Sequence, residues 1–475
     1  MSDPQIIQAG MGVGISGWQL ANAVAGLGEL GVVSGTALDA VCVRRLQLGD
    51  PGGHVRRALG KFPVPEMADK ILNRYFLPEG SLGEGSFASA PMASAKLTRD
   101  HQELLIVANF VEVYLAKENH GNSVGINYLE KIQMPLLPSL FGAMLADVDY
   151  VLMGAGIPRE VPGVLDKMAI CEDVEYSLHV DGATSEDHFK IAFSPRQIMG
   201  NKIASLKRPK FLAIISSSTL ALTLARKASG KVDGFVVEAP SAGGHNASPR
   251  GKLQLNQRGE PVYGPRDEVD LVAMRELELP FWLAGSRSHE DSLAQARALG
   301  AAGIQVGTSF ALCEESGLSP ALRLRILESI SNDRIDIFTD PLASPTGFPF
   351  KVVSLQDTNS ELETYETRNR VCDLGYLRTP YKKEDGSLGF RCPAEPIDLY
   401  IKKGGQEHAT VGRKCLCNAL MSNIELGQNR SQGHHELPLV TLGDDLTQVK
   451  LYFKNGSFNY TAADVVNSLR ESSIL

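Results

Sequence analysis

The sequence predicts an α/β protein: a TIM-type (β/α)8 barrel with insertions, followed by a C-terminal α+β extension. Three observations predict it. Short, almost continuously apolar runs recur through the first two-thirds of the 475 residues, as strands buried on both faces of a parallel sheet do. Helical stretches separate these runs, which is βα alternation. The runs number eight, enough to close a barrel.

The predicted strands are Gln5–Gln8, Gly31–Ser34, Ser123–Asn127, Tyr150–Met153, Phe211–Ser216, Gly234–Glu238, Phe281–Ala284 and Gly303–Val306. Amphipathic helices are predicted at Ser16–Gly26, with Leu20, Val24 and Leu27 on one face, at Thr219–Ala228 and at His289–Leu299. Two insertions break the rhythm. One runs from about His54 to Lys117; the other, Val174 to Ile203, reads as a β-excursion over the barrel mouth. The barrel is expected to occupy residues 1–335. Residues 336–475 lose the βα period and read as the extension, a lid or docking unit. Within it, Asp385-Gly386 predicts a hairpin turn, Ala409–Ile424 a helix and Asp445–Phe453 a late strand.

Composition bounds the class. Hydrophobic residues at 43% and charged residues at 21% suit a soluble globular protein with a sizeable core. A net charge of -8 and the lack of a basic run with aromatics exclude general attraction to nucleic acid or anionic membrane. Met-Ser-Asp-Pro leads straight into a strand without the parts of a signal peptide, and Phe211–Ala225 is too short to span a bilayer. Seven cysteines in so long a chain fit a reducing compartment, so a cytoplasmic enzyme is expected.

Barrel chemistry belongs at the carboxyl ends of the strands, and that is where the glycines and polar residues cluster. After the first strand comes Gly10-Met11-Gly12, where missing Cβ atoms let backbone approach a flat ring, although an ordinary βα loop reads the same way. Asn127 ends the third strand, its amide suited to a ring edge or to a helix cap. The sixth strand runs into Glu238-Ala239-Pro240-Ser241-Ala242-Gly243-Gly244-His245. Two glycines bring main chain against a cofactor face, and His245 titrates near neutral pH, making it the candidate catalytic residue. Gly285-Ser286 and Gly307-Thr308 follow the seventh and eighth strands, where barrels build an anion site from free backbone N–H groups. Ser286 and Thr308 also read as simple helix caps, and both readings can hold together.

These blocks resemble the nitronate monooxygenase (2-nitropropane dioxygenase) superfamily, which includes the FMN-dependent enoyl-ACP reductases. The resemblance rests on Gln5 to Gly12, Glu238 to His245 and Gly300 to Phe310, in the family's order, and covers roughly residues 4–330. It implies one non-covalent FMN. Its flavin contacts would be Gly10, Met11, Asn127, Gly285, Gly307 and Thr308, with Gly12, Glu238, Gly243, Gly244 and Ser286 as further candidate cofactor contacts read from the residues themselves. His245 would be the base that takes a proton from a nitroalkane, or the group that orients its nitronate. The implied activity is nitronate monooxygenase-like, the flavin reduced by substrate and reoxidised by O2. The alternative is an enoyl-thioester reductase that uses NAD(P)H and meets an acyl carrier protein. A third reading is a non-catalytic barrel scaffold. A homodimer is compatible with any of them.

Three departures bear on the substrate. Ser286 stands where the family shows a second glycine. Ser216-Ser217-Ser218-Thr219 offers no counterpart to a lysine seen in some monooxygenases. Asn246-Ala247-Ser248-Pro249-Arg250 replaces a short Gly-containing loop and resembles the reductase components of polyketide and polyunsaturated-fatty-acid systems. Beyond the barrel, Cys372, Cys392, Cys415 and Cys417 leave a structural zinc site open. Buried free thiols are the better reading, because the spacings suit a zinc site poorly.

Overall fold

The computed structural model describes residues 3–80, 87–200, 202–430, 435–454 and 456–471. Eight parallel strands form one sheet: β1 (Ile6–Gln8), β2 (Gly31–Ser34), β3 (Val124–Leu129), β4 (Tyr150–Gly154), β5 (Lys210–Ile215), β6 (Gly234–Glu238), β7 (Phe281–Ala284) and β8 (Gly303–Val306). Neighbours run β1-β8-β7-β6-β5-β4-β3-β2. The sheet closes where Ile7 bridges Leu30, with Gln8 N–H donating to Leu30 O at 2.9 Å. All eight predicted strands are present, with bounds moved by at most two residues.

Side chains alternate inward and outward along each strand. Ile7, Val32, Leu152, Leu212, Val236 and Trp282 fill the barrel interior. Two residues further along the same strands, the next inward layer includes Ala9, Ser34, Gly154, Ile214, Glu238 and Ala284, and these line a cavity instead of a core. The outward positions pack under the helices in the main apolar cluster.

The insertion from His54 to Lys117 holds helices His54–Leu59, Pro65–Tyr75 and Arg99–Ala116; residues 81–86 lie outside the described residues. The last of these helices is capped by Thr98, whose side chain accepts from His101 N–H. It packs between Trp18–Gly26 and Leu136–Leu145 and against β2 and β3, so this insertion supplies the helix of the barrel's ring between those two strands. The excursion after β4 is an antiparallel hairpin, Val174–Ser177 with Lys190–Phe193. Its tip bonds to the extension, Asp181 N–H donating to Pro380 O at 2.9 Å.

The extension opens with Asp336–Asp340 paired to Phe350–Ser354, then the predicted hairpin, Thr379–Lys382 with Leu388–Arg391. Two expectations fail. Ala409–Ile424 is not one helix but a 3-10 turn, Glu407–Thr410, and a short helix, Leu416–Ser422. Gly412 at φ 71° breaks the run, and Lys414 and Cys415 give their N–H groups to Ala343 O and the Tyr365 hydroxyl. Asp445–Phe453 is not a strand: Thr447–Tyr452 is a 3-10 helix. Leu446 just before it and Val449 and Tyr452 within it are buried, a period of three that matches the 3-10 repeat. The terminal helix Ala462–Glu471 returns to the helix Trp18–Gly26, and Arg470 pairs with Glu29 at 2.7 Å. Val353, Val440, Leu442, Val465 and Leu469 join the apolar cluster of the barrel helices. Among the described residues, no helix is long and apolar enough to cross a membrane.

Candidate active site

A cavity of about 220 Å³ opens at the carboxyl ends of the strands. Every barrel residue singled out from the sequence lines it: Gly10, Met11, Gly12, Asn127, Glu238, Gly243, Gly244, His245, Gly285, Ser286, Gly307 and Thr308. Two glycines are sterically required. A Cβ on Gly10 would lie 2.4 Å from the Asn127 Cβ, and one on Gly243 would lie 2.8 Å from Gly443 N. Asn127 is held by its Nδ2 donating to Gly10 O at 3.0 Å, which leaves its Oδ1 buried without a partner.

The β7 and β8 ends form an anion-competent corner. Gly285 at φ 91° and Ser286 at φ 50° turn the chain away from the strand. Among the described residues, the N–H groups of Gly285, Ser286, Arg287, Gly307, Thr308 and Ser309 donate no hydrogen bond. Arg287 lines the same cavity; its Nε is buried with no partner, and burial pulls the guanidinium below its usual range. The Thr308 hydroxyl accepts from Gly443 N–H at 2.9 Å, which orients it and leaves its O–H to donate to an anion.

His245 is half-buried. Its Nε2 lies 2.6 Å from Ser344 Oγ and its ring packs edge-on against Phe350 at 4.9 Å. Desolvation pushes its pKa down to about 4, so the imidazole is neutral at neutral pH and only weakly basic. Glu238 shows the opposite shift. Burial pushes its carboxyl up to about 7.

The extension, expected as a lid or docking unit, reaches into this site with several hydrogen bonds. Gly244 N–H donates to Thr441 Oγ1 at 2.7 Å, Asp444 N–H to Ser241 O at 3.0 Å, and Ser288 N–H to Asp445 Oδ2 at 3.1 Å. Lys351 N–H donates to Gly244 O at 3.0 Å. Gln305 was also missed: it faces inward from β8, and its buried Oε1 has no partner. Arg287 was missed as well, although it directly follows Ser286, which stands where the family shows a second glycine.

The four extension cysteines do converge, around a separate cavity of about 10 Å³. Burial raises three of the thiols, Cys372 to about 12 and Cys392 and Cys417 upward as well. Among the described residues, no group of three or more His, Cys, Asp or Glu is arranged to hold a metal ion.

A model of the nitronate monooxygenase family matches residues 158–341, the half of the barrel that carries His245 and the anion corner. A probable nitronate monooxygenase of Staphylococcus haemolyticus (strain JCSC1435) is 27% identical over 191 residues, 40% of this chain and 50% of that protein. One of Bacillus subtilis (strain 168) is 30% identical over 131 residues, 28% of this chain and 36% of that protein. The chain therefore spans half or less of the length of these curated relatives. Among solved structures, FabK from Thermotoga maritima aligns over 100% of this chain and 94% of its own, at 14% identity and a TM-score of 0.46. Over residues 158–341, then, the chain is similar to the nitronate monooxygenase family.

Proposed function

We propose that the chain is an FMN-dependent oxidoreductase of the nitronate monooxygenase type. The observation that carries this reading is the unspent hydrogen-bonding capacity of one cavity. At its β7–β8 corner are six free N–H groups and the orphaned Arg287 Nε; on its floor are the orphaned Asn127 Oδ1 and Gln305 Oε1. Buried polar groups without partners are rare, and this set is concentrated where a ligand with a dianionic end and a polar ring edge would satisfy it. FMN has that chemistry. Gly285, Ser286, Arg287, Gly307 and Thr308 would hold its phosphate, and Gly10, Asn127 and Gly243 would flank its ring. Bound there, the flavin supplies a two-electron acceptor that no side chain provides.

The chain's own part is positional. Gly10 and Gly243 let the strand ends pack directly against Asn127 and the Leu442–Gly443 main chain, where any Cβ would collide, and so fix the walls of the cavity. His245, neutral and tied to Ser344, presents a hydrogen-bonding imidazole to a substrate on the ring, which suits orientation of a nitro or nitronate group. Phe350, Leu442 and Thr441 of the extension cover the cavity and limit water.

A second reading, an NAD(P)H-dependent enoyl-thioester reductase served by an acyl carrier protein, is favoured by the extended loop from Asn246 to Asp267 beside the cavity. An anaerobic spectral titration separates the two. Protein reconstituted with FMN should bleach with ethylnitronate and resist NADPH and NADH. Rapid bleaching by a nicotinamide nucleotide would transfer the assignment to the reductase, and failure to take up FMN would refute both.

A further inference from the structure

Two glycines precede His245, and glycine backbone has little conformational preference with which to hold a neighbouring side chain still. The restraint comes from the extension, which grips the loop from two sides. On one side the loop lies antiparallel to the strand Phe350–Ser354: His245 bridges Phe350, Asn246 N–H donates to Pro349 O at 2.9 Å and Lys351 N–H to Gly244 O at 3.0 Å. On the other side Gly244 N–H donates to Thr441 Oγ1 at 2.7 Å and Asp444 N–H to Ser241 O at 3.0 Å. One ion pair joins the two grips. Lys351 Nζ lies 2.7 Å from Asp444 Oδ1 and donates to Thr339 Oγ1 at 2.9 Å. The lysine side chain is 4% exposed and the aspartate 49%.

We propose that Lys351 and Asp444 are a positioning pair for His245, holding the imidazole in one orientation at the cavity by locking the two grips together. The proposal rests on the oxidoreductase reading and deepens it. Neither Lys351 nor Asp444 lines the cavity, so the pair acts through the main chain of Ser241 and Gly244, which do.

A buried ammonium has to be paired, and among the described residues Asp444 is the one carboxylate in ion-pair contact with Lys351. Without it the ammonium keeps only the Thr339 hydroxyl, and its favourable course is to swing the aliphatic stem toward water. That motion pulls on the residue whose N–H holds Gly244 and whose neighbour Phe350 packs on the His245 ring at 4.9 Å. Thr339 is itself held, its N–H donating to Glu260 Oε1 at 3.1 Å, which ties the long loop after Asn246 into the same knot. A displacement of about 1 Å can cost a positioned group about a hundredfold in rate. A pair that never meets substrate can therefore set how well His245 works.

The test is Asp444→Asn in the FMN-reconstituted full chain, with Lys351→Met as a second route that leaves no buried charge unpaired. In protein labelled with carbon-13 histidine, the His245 ring signal is identified by its absence from His245→Gln. It should be single in wild type and broadened or split in both variants. The limiting rate of anaerobic flavin reduction by ethylnitronate should fall by about tenfold or more, with the affinity for FMN unchanged. Asp444→Glu, which keeps the charge, should restore both readouts. A His245 signal that stays single and unshifted in either variant overturns the proposal, as does a loss of thermal stability with signal and rate unmoved. A wild type that binds FMN yet is not reduced by ethylnitronate refutes the monooxygenase reading alone, and the His245 signal then decides the role of the pair by itself.

Discussion

Opposite shifts on two groups in one cavity have a consequence for stability that needs no substrate. Glu238 is raised from 4.5 to about 7 in the folded chain, so it favours folding fully below pH 4.5 and loses that contribution as pH rises through 7. His245 is lowered from 6.5 to about 4, so its contribution is present above pH 6.5 and is lost as pH falls through 4. Between pH 4.5 and 6.5 the folded chain carries roughly one extra proton on Glu238 and roughly one fewer on His245. The two slopes cancel. At 1.36 kcal/mol per pH unit, each is worth about 2 to 3 kcal/mol over the window, the lower figure allowing for residual water contact.

Single substitutions should unmask the slopes. Urea unfolding at pH 4.5 and 6.5 gives the change in unfolding free energy for each chain. Relative to wild type, Glu238→Gln should gain about 2 to 3 kcal/mol across the window, because the His245 slope stands alone. His245→Gln should lose a similar amount, and the double variant should return to the wild-type slope. Comparison with wild type removes the contribution of every other titrating group. Parallel pH profiles for all four chains would refute the claim that desolvation sets these two groups, and with it the electrostatic picture of the cavity.

Other consequences follow from single contacts. Arg287→Met should weaken FMN by about ten- to a hundredfold while changing riboflavin binding much less, as loss of a charge-assisted phosphate contact requires; equal losses for the two ligands in flavin-fluorescence titrations would remove Arg287 from the phosphate. Gly243→Ala drives a Cβ into the main chain of Leu442 and Gly443 and should cost about 1 to 3 kcal/mol in thermal unfolding, with increased proteolysis of the segment around Thr441. Arg368→Met leaves Glu436 buried without its 2.6 Å partner and should cost about 3 to 5 kcal/mol by urea unfolding, far more than loss of an exposed pair such as Lys190–Glu175.

The barrel was legible because its signals are local. A strand buried on both faces must be apolar throughout, and a strand end that packs closely against other main chain must shed its Cβ atoms. Both demands are written in contiguous residues such as Gly234–Glu238 and Gly243-Gly244. The cavity lining was legible for the same reason. The extension was not, because its structure is set by partners far away in the chain. Lys414 and Cys415 leave a helical pattern to bond Ala343 and Tyr365, and Thr447–Tyr452 takes a period of three because one face is buried. Arg287 and Gln305 were hidden differently: each is ordinary in sequence and becomes informative only when its polar atoms prove to be buried and unpartnered.

The extension's route also limits what the barrel can be without it. The segment from Thr441 to Asp445 bonds to the ends of three strands: to Ser241 and Gly244 after β6, to Ser288 after β7 and to Thr308 after β8. These are the loops that carry His245 and the free N–H groups of the anion corner. Loop ends held by one crossing segment lose conformational freedom before a ligand arrives, so less ordering remains for the ligand to impose. Gly443 makes the crossing possible, since a Cβ there would lie 2.9 Å from Ser241 O. The candidate site residues sit on the barrel, but their preorganisation depends on a glycine nearly two hundred positions beyond His245 in the chain.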